Sequence, residues 1–320
     1  MLVAFDARDA HRPPLRGWGR YAAELERALP AFVELAAVRD GGWGPEFVFE
    51  QWRLPGRLRR LGAEVVHVPN CFLPLVRPCP GVVTVHDLAF EEHTDDFARR
   101  TGAKYRALTP RAVRSAERVI CVSQFTADDV CSRYGVGEEK VRVVPNAPSL
   151  PLGRSPVAAG EPYIVTVGDL RRKKNLDRLV AAWRAARTGR RLIVAGLGRA
   201  PWHDVEAPGF LPDDELDALL RGADLLVHPS LYEGFGLVVA EAMARGVPVA
   251  CANTTALPEV AGGAAELFDP LDVDDMAAAI LRALGRREEL ARRGRERVAA
   301  LSWERTARET AAVYREAVAA

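Results

Sequence analysis

The sequence contains no apolar run near the roughly 18 residues that a bilayer span requires, and its opening, MLVAFDARD, is interrupted by charge at Asp6. A membrane-spanning or secreted chain is therefore not expected, and the location expected is cytoplasmic. Surplus charge is also missing. The 44 Lys and Arg face 43 Asp and Glu, a net +1, so no overall field recruits nucleic acid and any basic patch has to be local. Cysteine is scarce and unpatterned: Cys71, Cys79, Cys121, Cys131 and Cys251 form no CxxC pair, and three lie in strand-like runs. That suits reduced thiols better than a disulfide framework or a metal site. The histidines have no HExxH-type spacing. A complete dinucleotide fingerprint is absent as well. RGWGRYAAEL (16–25) has GxG before a helical pattern but no third glycine, and about ten residues separate it from the preceding strand, which argues against a nicotinamide-dependent oxidoreductase.

What is present is alternation. Short apolar runs (LVAFDA, EVVHV, GVVTVHD, RVICVS and VRVVPN) are separated by helical patterns in the first half, and PYIVTVG, RLIVAG, DLLVHPS, VPVACAN and AELFDP repeat the arrangement in the second. Continuous apolar strands alternating with helices predict parallel sheets covered on both faces. The Pro- and Gly-containing segment 147–161 reads as a linker. The expected fold is thus α/β: two Rossmann-like doubly wound parallel-sheet domains, 1–150 and 151–302, facing a central cleft. A closing amphipathic helix, 303–320, opens at a Ser N-cap and crosses back to the first domain.

In such sheets ligands collect beyond the carboxyl ends of the strands. There stand His86 and Asp87, Asn146, the segment 169–174, the turn 233–236 and Asn253 to Thr255. GDLRRKKN (168–175) sets four cations, Arg171 to Lys174, before a helix that Asn175 could cap, and a helix start with free N–H groups and added cations suits phosphate. In PSLYEGFGLVVAEAMARG, Gly234 and Gly236 allow close backbone approach, and Glu241 sits in an otherwise apolar helix. An ionised carboxylate there needs partners; if a ligand supplies them, the empty protein should leave Glu241 under-satisfied or bonded to water. DVDD (272–275) resembles an acidic metal motif, but its position after a strand favours N-capping. The basic stretches 52–61 and 99–118 read as solvated helix faces or as contacts for an anionic membrane surface.

Taken together, RGWGRYAAEL, VVTVHDLAF, ERVICVSQFTADDV, VGDLRRKKNLDRLV and the E-x7-E pair within LYEGFGLVVAEAMARGVPV resemble glycosyltransferase family 4, retaining sugar transferases of GT-B architecture. The resemblance covers almost the whole chain. It implies transfer of a hexosyl unit from a nucleoside-diphosphate sugar (GDP-mannose or a UDP- or dTDP-sugar) to an acceptor hydroxyl of a glycan, lipid-linked saccharide or natural product. No metal or other cofactor is implied. Glu241 would bind the ribose hydroxyls and Glu233 the transferred sugar, with backbone contacts from Gly234, Phe235, Gly236 and Leu237. Lys174 would bind the diphosphate, His86 would touch the sugar near the reacting centre, and Gly17 and Gly19 would lie in a loop beside the diphosphate. Thr254 or Thr255 would reach the phosphates. Family members commonly carry arginine where this chain has Asp169, leaving the second phosphate cation open among Arg171, Arg172 and Lys173. The expected state is a monomer or a homodimer. The alternatives are a noncatalytic nucleotide-sugar-binding protein or another GT-B enzyme, such as a sugar-nucleotide epimerase.

Overall fold

The computed structural model describes residues 1–15, 17–41, 45–153, 160–198 and 200–320. Two compact units emerge, Met1–Ala147 with Leu301–Ala320, and Pro148–Ala300. Each holds a six-stranded, wholly parallel sheet with flanking helices, the α/β architecture that the alternation predicts. The central part of the segment read as a linker, 154–159, lies outside the described residues.

In the first unit, β1 (Leu2–Asp6), β2 (Glu34–Val38), β3 (Val65–Val68), β4 (Gly81–Val85), β5 (Arg118–Cys121) and β6 (Val141–Val143) stand in the order β2-β1-β3-β4-β5-β6. Strands β3 and β4 are buried along their whole length, as a sheet covered on both faces requires. In the second unit, β7 (Tyr163–Val167), β8 (Arg191–Ala195), β9 (Glu206–Gly209), β10 (Leu225–His228), β11 (Val249–Ala252) and β12 (Glu266–Phe268) give β12-β11-β10-β7-β8-β9. The order reverses between β7 and β10, the switch point of a doubly wound sheet, and between β1 and β3 in the first unit. Strands β2 (ELAAV) and β9 (EAPG) are absent from the sequence expectation. Both are edge strands, one rich in alanine and the other carrying proline, so neither has a β-branched run.

The closing helix, Trp303–Ala319, starts where the Ser302 side chain accepts from Arg305 N at 3.2 Å. It belongs to the first unit. Thr306 donates to the Pro145 carbonyl (2.8 Å), Trp303 meets Tyr21 edge-on, and Tyr314 Oη lies 2.7 Å from Nδ1 of the fully buried His67. The other ring nitrogen of His67 is 2.7 Å from Thr84 Oγ1. Burial drives the pKa of His67 down to about 3 and that of His86 to about 4. Between those values and the ordinary 6.5, the unfolded chain binds more protons than the folded one, so stability falls as pH falls. The melting temperature is expected to drop on acidification from pH 6.5 towards 4, and less steeply in His67→Gln. Equal slopes in the two proteins would remove His67 from the effect.

The basic stretches are largely committed to local partners. Lys104 faces Glu46 and Glu50, Arg106 donates to the Phe90 carbonyl, Arg114 to the Tyr134 carbonyl, and Arg118 to Glu316. Arg57 and Arg60 reach Asp40 and the Gly56 carbonyl. All five thiols are free, and burial raises those of Cys71 and Cys251 to about 12. No helix among the described residues is long and apolar enough to cross a membrane.

Candidate active site

The switch point of the second sheet gathers the expected residues of that unit. After β7 the chain passes Gly168 and forms a single 3-10 turn, Arg172–Lys174. A Cβ on Gly168 would lie 3.3 Å from Lys174 Cδ, so the lysine folds back across the end of its own strand. Its Nζ lies 2.5 Å from Glu233 Oε1, both side chains being largely buried. Glu233 follows β10. His228, the last residue of that strand, brings its Nε2 within 3.1 Å of the same oxygen, with Ser230 Oγ 3.2 Å away. Burial opposes ionisation of Glu233, yet Lys174, with His228 and Lys173 behind it, outweighs that and holds the carboxyl well below its usual range. Burial lowers the His228 pKa more than Glu233 restores it, so the ring is neutral and donates from Nε2.

Three loops are fastened around this ion pair. Leu231 N donates to the Lys173 carbonyl at 2.7 Å, Glu233 N to Thr255 Oγ1 at 3.2 Å, and Ala256 N to the Glu233 carbonyl. Asn175 stands at the N-cap position expected of it, but its side chain makes no capping bond. Its backbone is left-handed (φ 55°), and its Nδ2 bridges the carbonyls of Pro229 (3.1 Å) and Pro270 (2.7 Å), a pairing of loops far apart in sequence that no local pattern announces. The helix Leu237–Ala244 then begins behind Gly236, whose φ of 95° suits glycine and whose Cβ, if present, would sit 2.6 Å from Leu257 Cδ2. Gly234 and Phe235 are buried in the same turn, and Leu237 is half-buried. Thr254 precedes Thr255 in the loop after β11. Of the cations left open, Arg171 donates to Asp169 at 2.8 Å, Lys173 is buried with its Nζ 6.0 Å from the Tyr232 ring centroid, and Arg172 is exposed.

Glu241 is satisfied by the protein itself, which corrects the expectation of an under-satisfied carboxylate. Oε1 accepts from the Ser149 and Leu150 amides (2.5 and 2.7 Å), and Oε2 from Arg245 Nη1 (2.8 Å). Arg245, fully buried along its side chain, also donates to Asp217 Oδ1 and to the carbonyls of Leu150 and Pro151. Asp217 in turn accepts from Gly153 N and Arg221. Burial still keeps the Glu241 carboxyl above its ordinary range despite these donors. Arg245 and Asp217 were missed by sequence reasoning; the available signal was the four-residue Glu–Arg spacing, which places both on one helical face.

In the first unit His86, after β4, is half-buried. Its Nε2 lies 2.9 Å from the Pro69 carbonyl, and its ring packs edge-on against Tyr21 at 4.7 Å. Gly17 and Gly19 are not in a loop, as expected; both belong to the first turn of the helix Gly17–Ala28. Gly19 is buried there because a Cβ would come within 2.9 Å of the Asp9 carbonyl oxygen, so its absent side chain serves close packing of the turn. The acids of DVDD cap: Asp272 accepts from Asp274 N (2.9 Å) and Asp275 N (3.1 Å), and no metal-holding cluster occurs among the described residues.

Residues 16–148 match the family model described as Glycosyltransferase Family 4, and 153–298 the model described as Glycosyl transferases group 1. The O-antigen chain mannosyltransferase B of Escherichia coli is 29% identical, over 78% of this chain and 74% of that protein. The D-inositol 3-phosphate glycosyltransferase of Salinispora tropica is 31% identical, over 100% of this chain and 74% of that one. Among solved structures, sucrose-phosphate synthase from Thermosynechococcus elongatus superposes with a TM-score of 0.76 at 21% identity, covering 98% of each chain.

Proposed function

The chain belongs to the group 1 glycosyltransferases of glycosyltransferase family 4, and from that premise we propose that it moves a hexosyl unit, with retention and without a metal, from a nucleoside-diphosphate sugar to an acceptor hydroxyl. The observation that carries this reading is the Lys174–Glu233–His228 cluster at the switch point of the second sheet. A lysine held there can meet a diphosphate, and a carboxylate held ionised beside it can accept from sugar hydroxyls. Two curated relatives, from E. coli and Mycolicibacterium hassiacum, are named mannosyltransferases, which makes GDP-mannose the first donor to test, ahead of UDP- and dTDP-sugars.

In the proposed step the acceptor oxygen bonds to the anomeric carbon on the face from which the diphosphate leaves. The bond from that carbon to the phosphate oxygen breaks, and the acceptor proton passes to the departing phosphate. Charge grows on the diphosphate, so Lys174 and the free N–H groups that open the helix at Leu237 stabilise the transition state more than the ground state. Lys174 and Glu233 exchange their mutual bond for bonds to substrate. Thr254, Thr255 and Arg172 line the same strand ends as further phosphate contacts, and Gly234 to Leu237 supply backbone contacts.

A thermal-shift screen against GDP, UDP, dTDP and ADP tests the donor assignment. A nucleotide at 100 times its Kd adds about 2.7 kcal/mol of stability, and silence from all four would overturn it. Transfer is expected to survive EDTA unchanged; loss that Mg or Mn restores would overturn metal independence.

A further inference from the structure

Both side-chain bonds of Glu233 end on one oxygen. Lys174 Nζ and His228 Nε2 meet Oε1 at 2.5 and 3.1 Å, whereas Oε2 has no bond among the described residues. The Glu233 backbone is fastened separately, to Thr255 and Ala256, so the direction of the carboxylate depends on these two donors. They are not equivalent. Lys174 carries its ammonium on a flexible stem, while the His228 ring is 2% exposed at the end of a strand buried along its whole length. Ser230 Oγ, itself fully buried, stands 3.2 Å from the same ring nitrogen, which leaves the imidazole nowhere to turn.

Packing does not by itself account for a histidine here. Leu225, Leu226 and Val227 precede it in the strand, and its Nδ1 is buried without a hydrogen-bond partner among the described residues, a cost that leucine would avoid. What the imidazole adds is an Nε2–H aimed at Glu233. That donor matters most when Lys174 turns towards a diphosphate. The Glu233 side chain is only 13% exposed, and an ionised carboxylate so placed is costly once its bonding partner leaves. With no second donor in position, Lys174 could bind phosphate only by stranding the acid beside it.

Building on the glycosyltransferase reading, we propose that His228 is a positioning residue that lets Lys174 change partners: it keeps Glu233 Oε1 bonded when the lysine turns to the diphosphate, and leaves Oε2 to accept from the sugar. His228 itself touches no substrate. The test is a double-mutant cycle on the full chain, read as calorimetric affinity for whichever of GDP and UDP the wild type binds. His228→Leu is expected to weaken the nucleotide by about tenfold or more, the size of one hydrogen bond to a charged group. In a Glu233→Gln background, where no buried charge is stranded, the same substitution should change affinity by less than about twofold. His228→Gln, whose side-chain nitrogen can stand in for Nε2, should recover most of the loss. Should His228→Leu not fold, His228→Asn, whose amide is too short to reach Oε1, takes its place in the cycle. A merely structural histidine would cost the same in both backgrounds. Equal losses in the two, wild-type affinity in His228→Leu, or no recovery in His228→Gln would each overturn the proposal. Failure of the wild type to bind either nucleotide would overturn the donor assignment, and this proposal with it.

Discussion

Lys174→Ala is expected to lower transfer by about 100-fold or more and to weaken nucleoside-diphosphate binding in the same protein. Removing a single preorganised donor from a site of developing negative charge typically costs that much. Lys174 is more than a donor, because its Nζ is the charge that most strongly offsets the burial of Glu233. Without it, Glu233 retains a neutral His228 and more distant Lys173, and its carboxyl should rise from its depressed range. The variant therefore loses the phosphate contact and blunts the hydroxyl acceptor together. Calorimetric titration with GDP and UDP, beside initial rates of transfer, separates the two effects. Nucleotide affinity equal to wild type would take Lys174 out of the donor site, whereas weakened affinity with intact turnover would leave it a ground-state contact only. Lys174→Arg should keep part of the binding, since charge is conserved while the fit across Gly168 is not.

The sequence conveyed this lysine more fully than it conveyed the bonds around it. The strand-to-helix turns after β7 and β10 are marked by local composition: four consecutive cations in one, two glycines and a glutamate in the other. A parallel sheet brings the ends of such strands together whatever the intervening residues are, so the Lys174–Glu233 pairing follows from the alternation. The bonds that set their orientation do not. Asn175 reads locally as a cap, but the carbonyls it bridges belong to Pro229 and Pro270, a tertiary demand that overrides its local preference. Gly17 and Gly19 read as a loop because GxG suits loops; the close approach of the Asp9 carbonyl, visible only in three dimensions, explains a glycine inside a helical turn. Strands β2 and β9 were illegible because edge strands need little apolar surface.

Arg245→Ala is expected to destabilise the second unit by about 3–5 kcal/mol, the usual cost of stranding a buried charge partner. The guanidinium is fully buried, and its loss leaves Glu241 and Asp217 facing each other's vacated partner with side chains at most 7% exposed. Two carbonyls, Leu150 and Pro151, lose a donor as well. Should that variant fail to fold, Asp217→Asn offers a milder form of the same test, with Arg245 still bonded to Glu241 and a loss of about 1–3 kcal/mol expected. This arrangement changes what a substitution at Glu241 means. Glu241→Ala frees the Ser149 and Leu150 amides inside the protein, so lost activity there would mix unfolding with lost ribose contact. Glu241→Gln is the cleaner probe, because its side-chain oxygen can still accept from both amides while the charge opposite Arg245 is gone. If Glu241 also holds the ribose hydroxyls, Glu241→Gln should lose at least tenfold in nucleotide affinity beyond any effect of stability, measured well below its denaturation midpoint. Wild-type nucleotide affinity in a folded Glu241→Gln would leave Glu241 with one role, fastening residues 149–150 to the helix that follows the glycine turn.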